Sequence, residues 1–148
     1  MANVEPLSAE EQRSLRALVG VIIPASASHG VPGADDERIF ADILATIAPD
    51  TAEVRDALVR LDALAGGRFA DLAGRAREAV ALKFRDTDAM SLPPWVSVTV
   101  QCYYRDDRVM HALGMAARPP FPGGFEVEQG DWSLLDPVRV RPKLYRDA

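Results

Sequence analysis

From Arg118 onward the chain reads RPPFPGGFEVEQGDWSLLDPVRVRPKLYRDA, and this stretch constrains the fold from two directions. It holds five of the eleven prolines, Pro119, Pro120, Pro122, Pro137 and Pro142. Proline removes a backbone donor and locks φ, so most of the stretch is expected to be neither helix nor central strand. It also carries Phe121, Phe125, Trp132, Leu134, Leu135 and Tyr145, whereas a disordered tail is poor in aromatics and rich in net charge. The expectation is an extended arm whose large side chains rest on an apolar surface, either its own bundle or a partner.

At 148 residues the chain is expected to form a single helical domain over 1–148, with a bundle over about 8–114 and a partner-binding arm over about 115–148. Hydrophobic residues at 48% and charged residues at 26% are ordinary globular values and exclude a wholly disordered protein. The net charge of −5, with scattered basic residues, argues against a nucleic-acid binder. Cys102 is the single cysteine, which excludes an intramolecular disulfide and any Cys-based zinc or c-type haem site. The opening MANVEPLSAEEQ shows no basic n-region, apolar h-region or twin arginine. The expected location is therefore cytoplasmic, with the periplasm reached through a removed leader or an exported partner. The longest apolar run, Ala17 to Ala27, is broken by Gly20 and Pro24 and falls short of the roughly 20 residues that span a bilayer.

Ser8-Ala9-Glu10-Glu11 has capping-box spacing, and Leu15, Leu18, Val19 and Ile22 follow at helical intervals, which predicts a first helix from Ala9 to Ile23. ASASHGVPGADD then marks a loop. Ile39, Phe40, Ile43, Leu44 and Ile47 predict a second helix opened by Asp35 or Asp36 and ended near Pro49. A third is capped by Asp50 or Thr51, buries Val54, Leu58, Leu61 and Leu64, and ends at Gly66-Gly67. Phe69, Leu72, Ala76, Val80 and Phe84 predict a fourth, to about Arg85, with Gly74 inside it as a weak point. Between Ser91 and Tyr104, Val96, Val98, Val100, Cys102 and Tyr104 alternate as in a strand, while Trp95, Val96, Thr99, Val100 and Tyr103 fit a helix with prolines in its first turn. A lone strand has no pairing partner in a helical chain, so helix is the expectation. Asp106 or Asp107 caps a short sixth helix through Val109 and Leu113, closed by Gly114. The fold class is thus all-α, a compact bundle of five to six helices with an extended, Pro/Gly-rich C-terminal arm.

No catalytic set emerges. His29, in a Ser-His-Gly loop, and His111, on a helix, are more simply a solvated and a satisfied histidine than bases or ligands, and their separation is not metal-ligand spacing. Asp35-Asp36-Glu37 and Asp106-Asp107 fit helix capping better than paired-carboxylate chemistry. Cys102 has no base placed beside it. Gly66-Gly67 and Gly123-Gly124 match neither a P-loop nor GxGxxG. Trp95 and Tyr103 are expected in the core; for Trp132, core and interface are evenly balanced.

In order along the chain, LSAEEQRSLRALVGVIIP, PGADDERIFADI, YYRDDRVMHALG, and the run from RPPFPGGF to GDW resemble the gluconate 2-dehydrogenase subunit 3 family, the small subunits of flavin-dependent GMC-type oxidoreductases. The resemblance covers most of the chain. It implies a helical, non-catalytic accessory subunit in a hetero-oligomer, whose large partner binds FAD and oxidises an alcohol or sugar, with a cytochrome or other acceptor taking the electrons. It supplies no catalytic, cofactor or metal residues to this chain. Many members of the family begin with a twin-arginine or hydrophobic leader, which the LSAEEQ opening lacks.

The residues expected to meet the partner are Tyr103, Tyr104, Phe121, Phe125 and Trp132, with Trp132 as the anchor. Two rival expectations remain: a self-contained enzyme using Tyr104, His111 and Asp106 or Asp107, and a stand-alone scaffold or regulatory module whose arm folds back on its own bundle.

Overall fold

A computed structural model describes residues 5–87, 93–119, 121–124, 126 and 128–142. The described residues carry seven α-helices and no strand, so the protein is all-α. The chain divides into two units, Met1–Ala117 and Arg118–Ala148.

The first helix, α1 (Ala9–Ile22), begins as its capping box requires: the Glu11 amide donates to Ser8 Oγ at 3.3 Å, and the Ser8 amide donates to Glu11 Oε2 at 2.7 Å. Two orphan donors of the first turn are thereby satisfied. Pro24 follows the helix, and an irregular loop bridged at Ser26 and Val31 leads to α2 (Glu37–Thr46). Asp36 caps α2 by accepting from the Arg38 and Ile39 amides. A 3-10 turn at Ala48–Asp50 connects to α3 (Thr51–Ala65), which stops at Gly66, where φ is 68°. That left-handed conformation is available to glycine without a Cβ clash.

Three details after α2 differ from the sequence expectation. Leu64 is 40% exposed rather than buried, because Val54, Leu58 and Leu61 already complete the inward stripe of α3. Phe69 does not begin the fourth helix; it lies in a separate 3-10 turn, Phe69–Asp71, fully buried, with its amide donating to Asp62 Oδ1 at 2.9 Å. Gly74 is not inside α4 (Gly74–Thr87) but is its first residue, with φ 50°, so it turns the chain into the helix instead of weakening its middle.

The ambiguous segment is helical, as α5 (Pro94–Tyr104), with proline at its start where an amide has no partner in any case. Trp95, Val98, Thr99, Cys102 and Tyr103 are its buried residues, the spacing of one helical face. Trp95 stacks on Phe84 of α4 at 6.0 Å between centroids. Asp106 caps α6 (Asp107–Ala112), and Gly114 follows with φ 73°. In the core, α1 packs against α3, α4, α5 and the Phe69–Asp71 turn, α2 packs on α5, and α3 on α4. Leu15, Val19, Ile43, Leu61 and Phe69 lose essentially all their solvent exposure there.

Within the second unit, the arm is less extended than expected. A 3-10 turn at Trp132–Leu135 runs directly into the single helical turn α7 (Asp136–Arg139). Asp131 opens it by accepting from the Ser133 amide at 3.0 Å, and Pro137 falls in the first turn of α7, where its missing N–H costs nothing. No described residue of this unit is buried.

Candidate partner interface

Two adjacent tyrosines close α5, and the helical rotation between them gives them opposite surroundings. Tyr103 belongs to the core at 5% exposure, while Tyr104 is half exposed and meets the Tyr103 ring edge-on at 5.2 Å. Burial pushes the Tyr103 hydroxyl above its ordinary value. Of the pair, Tyr104 is therefore the one open at the surface, with Tyr103 packed behind it. Val100 lies one turn before Tyr104 and is 40% exposed, so the outer side of α5 is apolar as well.

Beside the tyrosines, arginines tie α2 to the α5–α6 corner. Arg105 makes a two-pronged contact with Asp42, from Nε at 2.6 Å and from Nη2 at 2.5 Å, and also donates to Thr46 Oγ1 at 2.8 Å. Arg108 donates to Asp36 at 2.6 and 3.2 Å and to Asp106 at 2.9 and 3.1 Å. Arg38 reaches Asp106 and Asp107 at 3.7 and 3.5 Å. These guanidinium partners hold the carboxyls of Asp42, Asp36 and Asp106 below the usual carboxylate range, Arg105 acting on the first and Arg108 on the other two.

A depression of about 340 Å³ opens over this cluster, lined by Arg38, Ile39, Asp42, Cys102, Arg105 and Asp106. The Cys102 thiol at its floor is buried, and burial raises its pKa, which disfavours the nucleophilic thiolate. Its charged walls already satisfy one another, so the arrangement is suited to holding helices together.

The residues of the enzymatic alternative have separate surroundings, Asp107 lying 3.5 Å from Arg38. Asp106 is committed to Arg108, Arg38 and the α6 cap, while Tyr104 and His111 are exposed and, among the described residues, neither hydrogen-bonds to a carboxylate. His29 is also exposed, with Nδ1 at 2.9 Å from Ser26 Oγ and 3.2 Å from Ser28 Oγ within its own loop. Among the described residues no three His, Cys, Asp or Glu side chains gather as a metal site, and no helix is long and apolar enough to cross a membrane.

In the arm, Phe121 is 84% exposed and Trp132 62% exposed. The indole N–H of Trp132 donates to Gln129 Oε1 at 3.2 Å, which satisfies its polar edge and leaves the ring face open. Phe125 lies outside the described residues. Leu134, singled out with the arm's large side chains but not as a contact residue, is 73% exposed, and Val138 and Val140, which sequence reasoning missed, are 53% and 83% exposed. The signal for the first two was the helical spacing of Leu134 and Val138 beside Trp132 and Leu135, masked by Pro137. No protein family, curated protein or solved structure matches the chain.

Proposed function

We propose that this chain is a small, non-catalytic accessory subunit of a heteromeric FAD-dependent alcohol or sugar dehydrogenase of the GMC type, and that it stabilises or matures the flavin-bearing subunit. The observation that carries this reading is the set of exposed apolar side chains on the arm, Phe121, Trp132, Leu134 and Val140. Several large apolar side chains left exposed on one short segment favour a site for another macromolecule over a solvated surface. The resemblance of four ordered segments to gluconate 2-dehydrogenase small subunits supplies the kind of partner. Two of those segments, Pro32–Ile43 and Tyr103–Gly114, are joined by the Arg105–Asp42 and Arg108–Asp36 pairs, a structural role for their charged residues.

The mechanism is burial and linkage. Phe121, Phe125, Trp132 and Tyr104 cover an apolar surface of the flavoprotein, and binding only its folded form shifts its unfolding equilibrium by mass action. FAD held in the partner would supply the oxidation chemistry, and a cytochrome or other acceptor would receive the electrons. The test is to produce a GMC-type flavoprotein encoded beside this chain, with and without it, then compare solubility, flavin absorbance and alcohol-dependent dye reduction; the absence of any such flavoprotein gene also counts against the proposal. A flavin-loaded, co-purifying complex that is more soluble and more active with the chain is expected. A flavoprotein fully soluble, loaded and active alone overturns the proposal.

A further inference from the structure

The short helix α6 completes its own hydrogen bonds within the span from Asp106 to Met115. At its start Asp106 accepts from the Arg108 amide at 3.0 Å. At its end Gly114, with φ 73°, lets the Met115 amide donate to the Met110 carbonyl at 2.9 Å. Its attachment to the bundle is of a different kind. Val109 is the one buried residue of the helix, while His111, Leu113 and Met115 are exposed. The other ties run to α2, where Asp36 receives Arg108, and Arg38 reaches Asp106 and Asp107. Apart from the buried Asp106 carboxyl, these side chains are between 26% and 65% exposed, so salt screens the pairs. The preceding helix α5, in contrast, buries five side chains and is anchored by packing.

We propose that α6 is a charge-held latch, which parts from α2 and melts as one unit while α1 to α5 stay folded. A helix this short has no stability of its own once Val109 and the ion pairs are withdrawn. One buried valine is in turn a small fraction of what holds the bundle, so the opening lies well below global unfolding. The Arg118–Ala148 unit follows α6 in sequence, and the opening therefore changes how that unit is tethered. With the latch closed, the connection after the helix is Leu113–Ala117; with it open, the connection is Asp107–Ala117, more than twice as many residues. A longer flexible connection gives the second unit a wider reach. The latch belongs to the chain itself and does not rest on the accessory-subunit reading.

Hydrogen exchange of the full-length chain, followed residue by residue by NMR at neutral pH, tests this at ~50 mM and ~1 M sodium chloride. The amides of Met110, Leu113, Gly114 and Met115 are each hydrogen-bonded within the unit. They are expected to share one protection factor, at least about a hundredfold below that of the middle of α1 and α3. The higher salt is expected to lower it further by about threefold and to leave α1 and α3 unchanged. Two variants are compared with the unaltered chain. Asp36→Asn keeps the cap of α2 but removes the charge that Arg108 meets, and is expected to lower α6 protection by about threefold. Arg108→Met also strips a partner from buried Asp106, and is expected to lower it by about tenfold. Protection in α6 equal to that in α3 would mean that the helix opens only with the whole unit, and overturns the latch. Protection declining stepwise from Met110 to Met115 is the fraying of an end and overturns it too. Salt or variants that weaken α1 and α3 as much as α6 have the same consequence. If Arg108→Met does not fold, the salt series and Asp36→Asn decide.

Discussion

Arg108 donates to two carboxylates that each begin a different helix, Asp36 at the start of α2 and Asp106 at the start of α6. One side chain therefore joins two caps, and the Asp106 carboxyl group is 4% exposed. Asp106→Ala removes both the cap and the partner of Arg108, and is expected to cost about 2 kcal/mol by urea unfolding. Asp106→Asn, which can still accept from the Arg108 amide, should cost less. Because Asp36 and Asp106 have lowered pKa values in the folded protein, the native state binds fewer protons than the unfolded chain. Their stabilisation is present above the unfolded carboxylate value near 3.9 and is lost as pH falls from there through the lower folded values. Urea midpoints measured from pH 6 down to pH 2 should fall across that window, and fall less in an Asp36→Asn, Asp106→Asn double variant. Gly33 poses a steric question of the same scale. A Cβ there would stand 2.4 Å from Asp35 Oδ1 and 2.9 Å from the Ala25 backbone nitrogen. The carboxylate can rotate away but the backbone cannot, so Gly33→Ala is expected to lower the melting temperature, read by circular dichroism, by several degrees, corresponding to about 1–2 kcal/mol.

Elements with local punctuation were legible before any coordinates. Ser8 with Glu11 opens α1 and Gly66 closes α3, because caps and left-handed glycines act within a turn of where they stand in sequence. Between those signals the outcome depended on tertiary context. The alternation of Val96, Val98 and Val100 suits a strand, yet α5 forms because Trp95, Val98, Thr99, Cys102 and Tyr103 make a continuous face for α1 and α2. The spacing of Phe69 to Leu72 and Ala76 is helical, yet its burial and the bond from its amide to Asp62 hold it in a separate turn. The arginine ties were illegible for a plainer reason, since Arg105 and Asp42 are 63 residues apart and Arg108 and Asp36 are 72 apart. The interface candidates were legible as residue types, but only the helical rotation at the end of α5 separates a core Tyr103 from an exposed Tyr104. The Trp95–Phe84 stack joins α5 to α4, whose one buried residue is Phe84. Trp95→Ala should therefore cost about 3–5 kcal/mol and loosen α4 first, seen as faster amide exchange along 74–87 than along α1.

Among the described residues, every buried one lies between Leu7 and Val109, all within the Met1–Ala117 unit, whereas the described part of the Arg118–Ala148 unit holds its apolar side chains exposed. The buried core of the described residues thus lies in the first unit, while the proposed partner contacts of the arm lie in the second, and a truncation can separate the two. Ending the chain at Ala117 removes none of the described residues that form the hydrophobic core. The shortened protein is expected to melt within a few degrees of the full chain, since about 1 kcal/mol moves the midpoint of a domain this size by roughly 4 °C. Its effect on the flavoprotein should be lost. With the full-length chain at about 100 times its dissociation constant, linkage adds about 2.7 kcal/mol to the partner's stability, and the partner's melting temperature climbs with concentration. The truncated chain at the same concentration should leave that melting temperature unchanged. Differential scanning fluorimetry following the released flavin reads the partner alone, so the two proteins are distinguished in one sample. If the truncated chain protects the flavoprotein as well as the full one, the binding surface lies on the bundle, and the outer side of α5 with Val100 and Tyr104 becomes the place to substitute.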